Sequence, residues 1–95
     1  MEYRYIGKSG LRVTPICMGT MSFGSWSDKK ESFKILEKAY ERGINFYDTA
    51  EVYPVPPNAE TVGVTEQIFG EWIKTKPRDS LIIATKVAGA ASGWF

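Results

Sequence analysis

Gly43-Ile44-Asn45-Phe46-Tyr47-Asp48-Thr49-Ala50-Glu51-Val52-Tyr53 is the stretch that decides the fold. It opens on a glycine, passes through a β-prone run at Ile44 to Tyr47, and turns polar at Asp48-Thr49. Immediately before it, Phe33, Leu36, Ala39 and Tyr40 recur at helical spacing, while Lys30, Lys34, Glu37, Lys38 and Glu41 fall on the wet side. Asp28 is suited to cap the start of that helix, with Glu31 three residues on as in a capping box. Gly43 stands where a left-handed C-terminal cap is wanted. A helix therefore runs straight into a strand.

Reading outward gives the same alternation on both sides. Downstream, Tyr53 to Ala59 contains Pro54, Pro56 and Pro57 and must be a loop with restricted backbone. A second helix is expected from about Val62 to Thr75, with Val64, Ile68, Phe69, Trp72 and Ile73 on one face and Pro77 beyond its end; Gly70 is the one weak position. Leu81-Ile82-Ile83-Ala84-Thr85 reads as a strand with Lys86 at its C-terminal end, and Gly89 to Gly93 as a permissive loop. Upstream, Ile16-Cys17-Met18 is a continuous apolar run closing on Gly19-Thr20, as in a strand buried on both faces. Tyr3 to Ile6 and Leu11 to Thr14 flank a turn-rich segment and predict an N-terminal hairpin.

Hairpin, then strand–helix–strand–helix–strand, means a parallel sheet with helical crossovers. The third strand is followed by a loop and no helix, so the architecture reads as interrupted.

Composition narrows the function. Twelve Lys plus Arg against eleven Asp plus Glu leave a formal charge of +1, and the basic residues are scattered. No footprint for nucleic acid or an anionic membrane results. Lys29-Lys30 and the Lys74, Lys76, Arg78 group read as solvated helix surface and helix end. A single cysteine, Cys17, permits no intrachain disulfide, and neither a signal peptide nor a membrane span is evident; a soluble cytoplasmic protein is expected. Without histidine, the chain supplies no Ser/His/Asp arrangement, and no metal site is expected.

The C-terminal ends of parallel strands share one rim, where functional groups collect. This order delivers Gly19-Thr20, then Asp48 and Tyr53, then Lys86 to that rim. A phenol with a pKa of about 10 is a poor acid at neutral pH. A nearby ammonium favours its ionised form, and a carboxylate can hold the ammonium in place. The three together would make a proton donor for a carbonyl oxygen gaining charge. Each has a plainer explanation alone: Tyr53 as packing, Asp48 as a turn cap, Lys86 as a solvated lysine. Their convergence on one rim is what favours a site. The glycines of Gly19-Thr20-Met21-Ser22-Phe23-Gly24 are a weak motif, matching neither a P-loop nor G-x-G-x-x-G, and Gly19 alone serves to turn the chain off its strand.

With those residues in view, the chain resembles the aldo-keto reductases. Ile16 to Gly24 is similar to their first-strand segment, Gly43 to Tyr53 to their "G-x-N-x-x-D-T-A-x-x-Y", and Ile83-Ala84-Thr85-Lys86-Val87 to the strand carrying their active-site lysine. Pro54-Val55-Pro56-Pro57 departs from the Tyr-Gly common in the family and resembles a bacterial subgroup with a Pro-rich loop after the tyrosine. The resemblance implies a (β/α)8 TIM barrel, truncated. Residues 1–95 would be an N-terminal fragment of that single domain: the hairpin plus the first three strands. It implies reduction of aldehydes or ketones by hydride from NADPH. Tyr53 would be the general acid, Lys86 its pKa-lowering neighbour and Asp48 the ion-pair partner. Gly19, Thr20 and Met21 would lie against the nicotinamide end, with Asp48 reaching the ribose.

The family's active-site histidine follows the next strand and is absent here, as are the last two βα units that hold the adenosine phosphate. A full barrel takes about 250 residues. The 95 residues alone are therefore expected to turn over little substrate. An unpaired parallel edge and a partly bare helix-facing surface are expected to favour self-association. Two other readings stay open: a non-catalytic module that binds a partner or itself, and a Schiff-base lyase using Lys86.

Overall fold

A computed structural model describes residues 2–87. Strands β1 (Arg4–Tyr5) and β2 (Arg12–Val13) pair antiparallel, Arg4 opposite Val13, so the expected hairpin forms. Gly7, at φ +54°, turns the chain between them, and the Ile6 amide donates to the Leu11 carbonyl at 2.9 Å.

Strand β3 (Cys17–Gly19), helix α1 (Lys29–Glu41), strand β4 (Phe46–Asp48), helix α2 (Val64–Ile73) and strand β5 (Ile82–Ala84) follow. The strands form one parallel sheet in the order β3-β4-β5, with Gly19, Asp48 and Ala84 level at its C-terminal rim. Helix α1 starts as its sequence dictates: Asp28 Oδ1 accepts from the Glu31 amide at 2.8 Å. It ends in a Schellman motif, with Gly43 at φ +91° and its amide on the Tyr40 carbonyl, while the Ile44 amide reaches the Ala39 carbonyl. Ile44 is thus part of the cap, and the strand begins two residues later than its β-prone run suggests.

Helix α2 is shorter than the expected 62–75. Asn58 Oδ1 accepts from the amides of Glu60 and Thr61 and fixes a separate turn, and Gly63 at φ +85° breaks the path before Val64. At the far end, the amides of Thr75 and Lys76 bond three residues back, to Trp72 and Ile73, tightening the chain out of the helix.

Both helices cover one face of the sheet. Tyr47 points there and is fully buried, as are Leu36 and Trp72; Phe23, Phe69, Ala39 and Leu81 complete the core, and Met18 and Ile83 pack against it. The Tyr47, Phe69 and Trp72 rings meet at centroid separations of 5.5–6.0 Å. The opposite face carries Cys17, Gly19, Phe46, Asp48, Ile82 and Ala84, and all six are exposed or half-buried. The bare surface therefore lies chiefly on the side away from the helices, rather than on the helix-facing side named above.

Two surface readings need correction. Glu37 is not simply on the wet side: it accepts from Trp72 Nε1 at 2.9 Å and pairs with Lys76 at 2.6 Å. Lys76 is correspondingly drawn in, its side chain 17% exposed and stacked over the Tyr40 ring. Gly89 to Gly93 lies outside the described residues.

Candidate active site

The site begins where the ladder of β4 and β5 runs past the strands themselves. The Thr49 amide donates to the Ala84 carbonyl at 2.8 Å and the Glu51 amide to the Lys86 carbonyl at 3.1 Å. Those bonds carry Lys86 alongside the segment that follows Asp48. Lys86 Nζ donates to Asp48 Oδ2 at 2.7 Å and to the Thr49 carbonyl at 2.8 Å. A tight turn, closed by the Tyr53 amide on the Ala50 carbonyl, then folds Tyr53 back, and Lys86 Nζ stands 5.2 Å from the centre of its ring. Carboxylate, ammonium and phenol do meet at one rim.

Electrostatics here serve orientation more than stability. The Asp48 and Lys86 side chains are 38% and 49% exposed, and such pairs contribute up to about 1 kcal/mol. The hydrogen bond to Asp48 raises the Lys86 pKa above the ordinary lysine value. Desolvation opposes it, and the Asp48 charge and the Tyr53 phenol add to the rise. Lys86 is thus held as an ammonium.

The other residues named from sequence are distributed along the same rim. Gly19 is exposed, and a Cβ there would meet nothing within 4 Å, so its backbone faces open space. Met21 is 52% exposed. Thr20 is different: it is fully buried and its hydroxyl donates to the Asp48 carbonyl at 2.9 Å, tying the end of β3 to the end of β4. Its side chain braces Asp48, and with no surface exposed Thr20 cannot itself lie against a cofactor as the resemblance implied.

Sequence reasoning missed the supports of this rim. The Thr49 carbonyl, a second acceptor for Lys86, has no side-chain signal. Nor does the Thr65 hydroxyl, which donates to the Phe23 carbonyl at 2.5 Å and joins α2 to the loop after β3. Asn45 was visible only as part of a motif; its Oδ1 accepts from the Thr14 amide at 2.8 Å and its Nδ2 donates to the Arg12 carbonyl, fastening the hairpin under the sheet.

The same order of residues recurs in known proteins. The pattern of the Aldo/keto reductase family matches residues 15–94. The chain belongs to the aldo/keto reductase family. It is 45% identical over 89 residues to the uncharacterized oxidoreductase YrpG of Bacillus subtilis (strain 168), an alignment covering 92% of this chain and 26% of that protein. With Protein tas of Escherichia coli (strain K12) it shares 44% identity over 90 residues, 94% of this chain and 26% of that one. Among solved structures it superposes on the aldo-keto reductase AKR11C1 from Bacillus halodurans (holo form) with a TM-score of 0.79 and 33% identity, covering all of this chain and 30% of the other. The chain thus spans about a quarter of the length of these relatives. Its three parallel strands correspond to the start of a (β/α)8 barrel, and the family is one of oxidoreductases.

Proposed function

We propose that this chain supplies the proton-donating part of an NADPH-dependent reductase of aldehydes and ketones. The observation that carries the reading is the Lys86 ammonium, held between Asp48 Oδ2 and the Thr49 carbonyl and set against the Tyr53 ring. An ammonium beside a phenol stabilises the negative charge left when the phenolic proton departs. Tyr53 then protonates the carbonyl oxygen, Lys86 stabilises the phenolate, and Asp48 keeps Lys86 charged and in place. The exposed Gly19 backbone, Met21 and the Asp48 carboxylate fit a flat ring and a ribose hydroxyl at this rim. Thr20, which has no exposed surface, acts only as a brace for Asp48. Reduced nicotinamide, when bound, supplies the hydride.

The complete barrel is the working enzyme in this proposal, and the 95 residues alone turn over little or no substrate. A Schiff-base role for Lys86 is disfavoured, because that chemistry needs a neutral amine and this one is held protonated. The test is turnover of a simple aldehyde with NADPH by the complete barrel. Tyr53→Phe is expected to lower kcat by at least about 10²-fold, the scale of a lost general acid. Undiminished turnover in that variant would remove Tyr53 from the role.

A further inference from the structure

The segment that carries Tyr53 away from the rim has almost no means of fastening itself. Pro54, Pro56 and Pro57 have no amide hydrogen, so Val55 holds the single backbone donor from Pro54 to Pro57. That donor is used: the Val55 amide reaches the Met21 carbonyl at 2.9 Å. The Val55 carbonyl is used as well, accepting from the Ser25 hydroxyl at 2.9 Å. Both contacts come from the loop between β3 and α1.

That loop is firm enough to act as a support. Phe23 is buried and its carbonyl accepts from Thr65, while the Gly24 amide donates to the Ser27 carbonyl at 2.7 Å. From the other side the Tyr53 carbonyl accepts from the amides of Gly63 and Thr65, at 3.1 and 3.4 Å. Residues 53 and 55 are therefore held from two directions. Among these bonds, only the one from Ser25 is made by a side chain. Its hydroxyl also lies 3.3 Å from the Ser22 carbonyl, the longer of its two contacts.

We infer that Ser25 is a positioning residue for Tyr53: by clamping Val55 together with the Met21 carbonyl, it keeps the phenol ring over the Lys86 ammonium. The inference rests on Tyr53 being the proton donor proposed above. Ser25 itself is exposed and joins the site through Val55, not by touching the reacting atoms.

NMR on the 95-residue chain tests the placement without requiring turnover. Nuclear Overhauser contacts between the Lys86 side chain and the Tyr53 ring are expected in the wild type, lost in Ser25→Ala, and retained in Ser25→Thr, which keeps the hydroxyl. Thermal midpoints should agree among the three proteins, since an exposed substitution leaves the core untouched. Persistence of those contacts in Ser25→Ala, or their equal loss in Ser25→Thr, would overturn the inference. In the complete barrel, Ser25→Ala is expected to lower kcat about tenfold with KM unchanged, within the roughly 10²-fold that a 1 Å misplacement can cause. A raised KM with unchanged kcat would also overturn it. Unchanged turnover in Tyr53→Phe alongside the expected NMR pattern would instead strike the proton-donor reading alone.

Discussion

Adding one methyl group at Gly24 is expected to loosen the support on which the candidate site stands. Gly24 has φ +103°, where a side chain is strained whatever the space around it. The strain costs about 1–2 kcal/mol by the usual left-handed penalty. A Cβ there would also sit 2.8 Å from Val64 Cγ1, 3.5 Å from Val64 Cβ and 3.6 Å from Ile68 Cδ1. Val64 is β-branched and lies in the first turn of α2, so its χ1 has little freedom to move that methyl aside. Overpacking of this kind costs about 1–3 kcal/mol. Together Gly24→Ala should destabilise by about 3.5 kcal/mol, taking the middle of the two ranges. At about 4–8 °C per kcal/mol for a domain of this size, the thermal midpoint falls by about 14–28 °C. Urea and thermal unfolding followed by circular dichroism read this directly. A double-mutant cycle with Val64→Ala separates the two costs: it should return a coupling of about 1–3 kcal/mol, the contact share, while the φ share persists. A Gly24→Ala loss below about 0.5 kcal/mol, the range of neutral surface changes, would refute both parts of this reasoning. A vanishing coupling would refute the contact.

Three further outcomes are expected. Asn45→Ala removes the bonds to Thr14 and Arg12, so amide exchange in the hairpin should accelerate while the Tyr47–Trp72 core stays protected; uniform protection would show the tie to be idle. Burial lifts the Tyr47 hydroxyl to about 12, so its contribution is fully present below the unfolded value of about 10 and is lost as pH rises through 12. The two-unit difference is worth about 3 kcal/mol, and alkaline unfolding should be blunted in Tyr47→Phe; the same steep loss in both proteins would place the cause elsewhere. Asp48→Asn removes the main reason for the raised Lys86 pKa, so the lysine's midpoint by NMR should fall toward its ordinary value, with stability changed by no more than about 1 kcal/mol. An unmoved midpoint would show that Asp48 does not hold the proton on Lys86.

The family features legible in the sequence are those written in short range. Asp28 caps a helix three residues away, Gly43 closes it within a turn, and the apolar stripes of both helices face the sheet as their periodicity requires. Parallel order follows from helical crossovers, and parallel order by itself sends Asp48, Tyr53 and Lys86 to one rim. The start of α2 departs from the hydrophobic pattern, which continues through Val62, because Asn58 and Gly63 set a different backbone path.

Local patterning thus determined the elements, their order and the three side chains of the candidate site. Tertiary structure alone decided how the site and the elements behind it are braced: Ser25 to Val55 beside the site across thirty positions, Thr14 to Asn45 under the sheet across thirty-one, Glu37 to Trp72 between the helices across thirty-five. A helix cap or a periodic stripe is fixed by bonds within a few residues, so the residues name it. Contacts between distant segments depend on where packing of the whole sheet and its helices brings them, and no single stretch of chain encodes that distance.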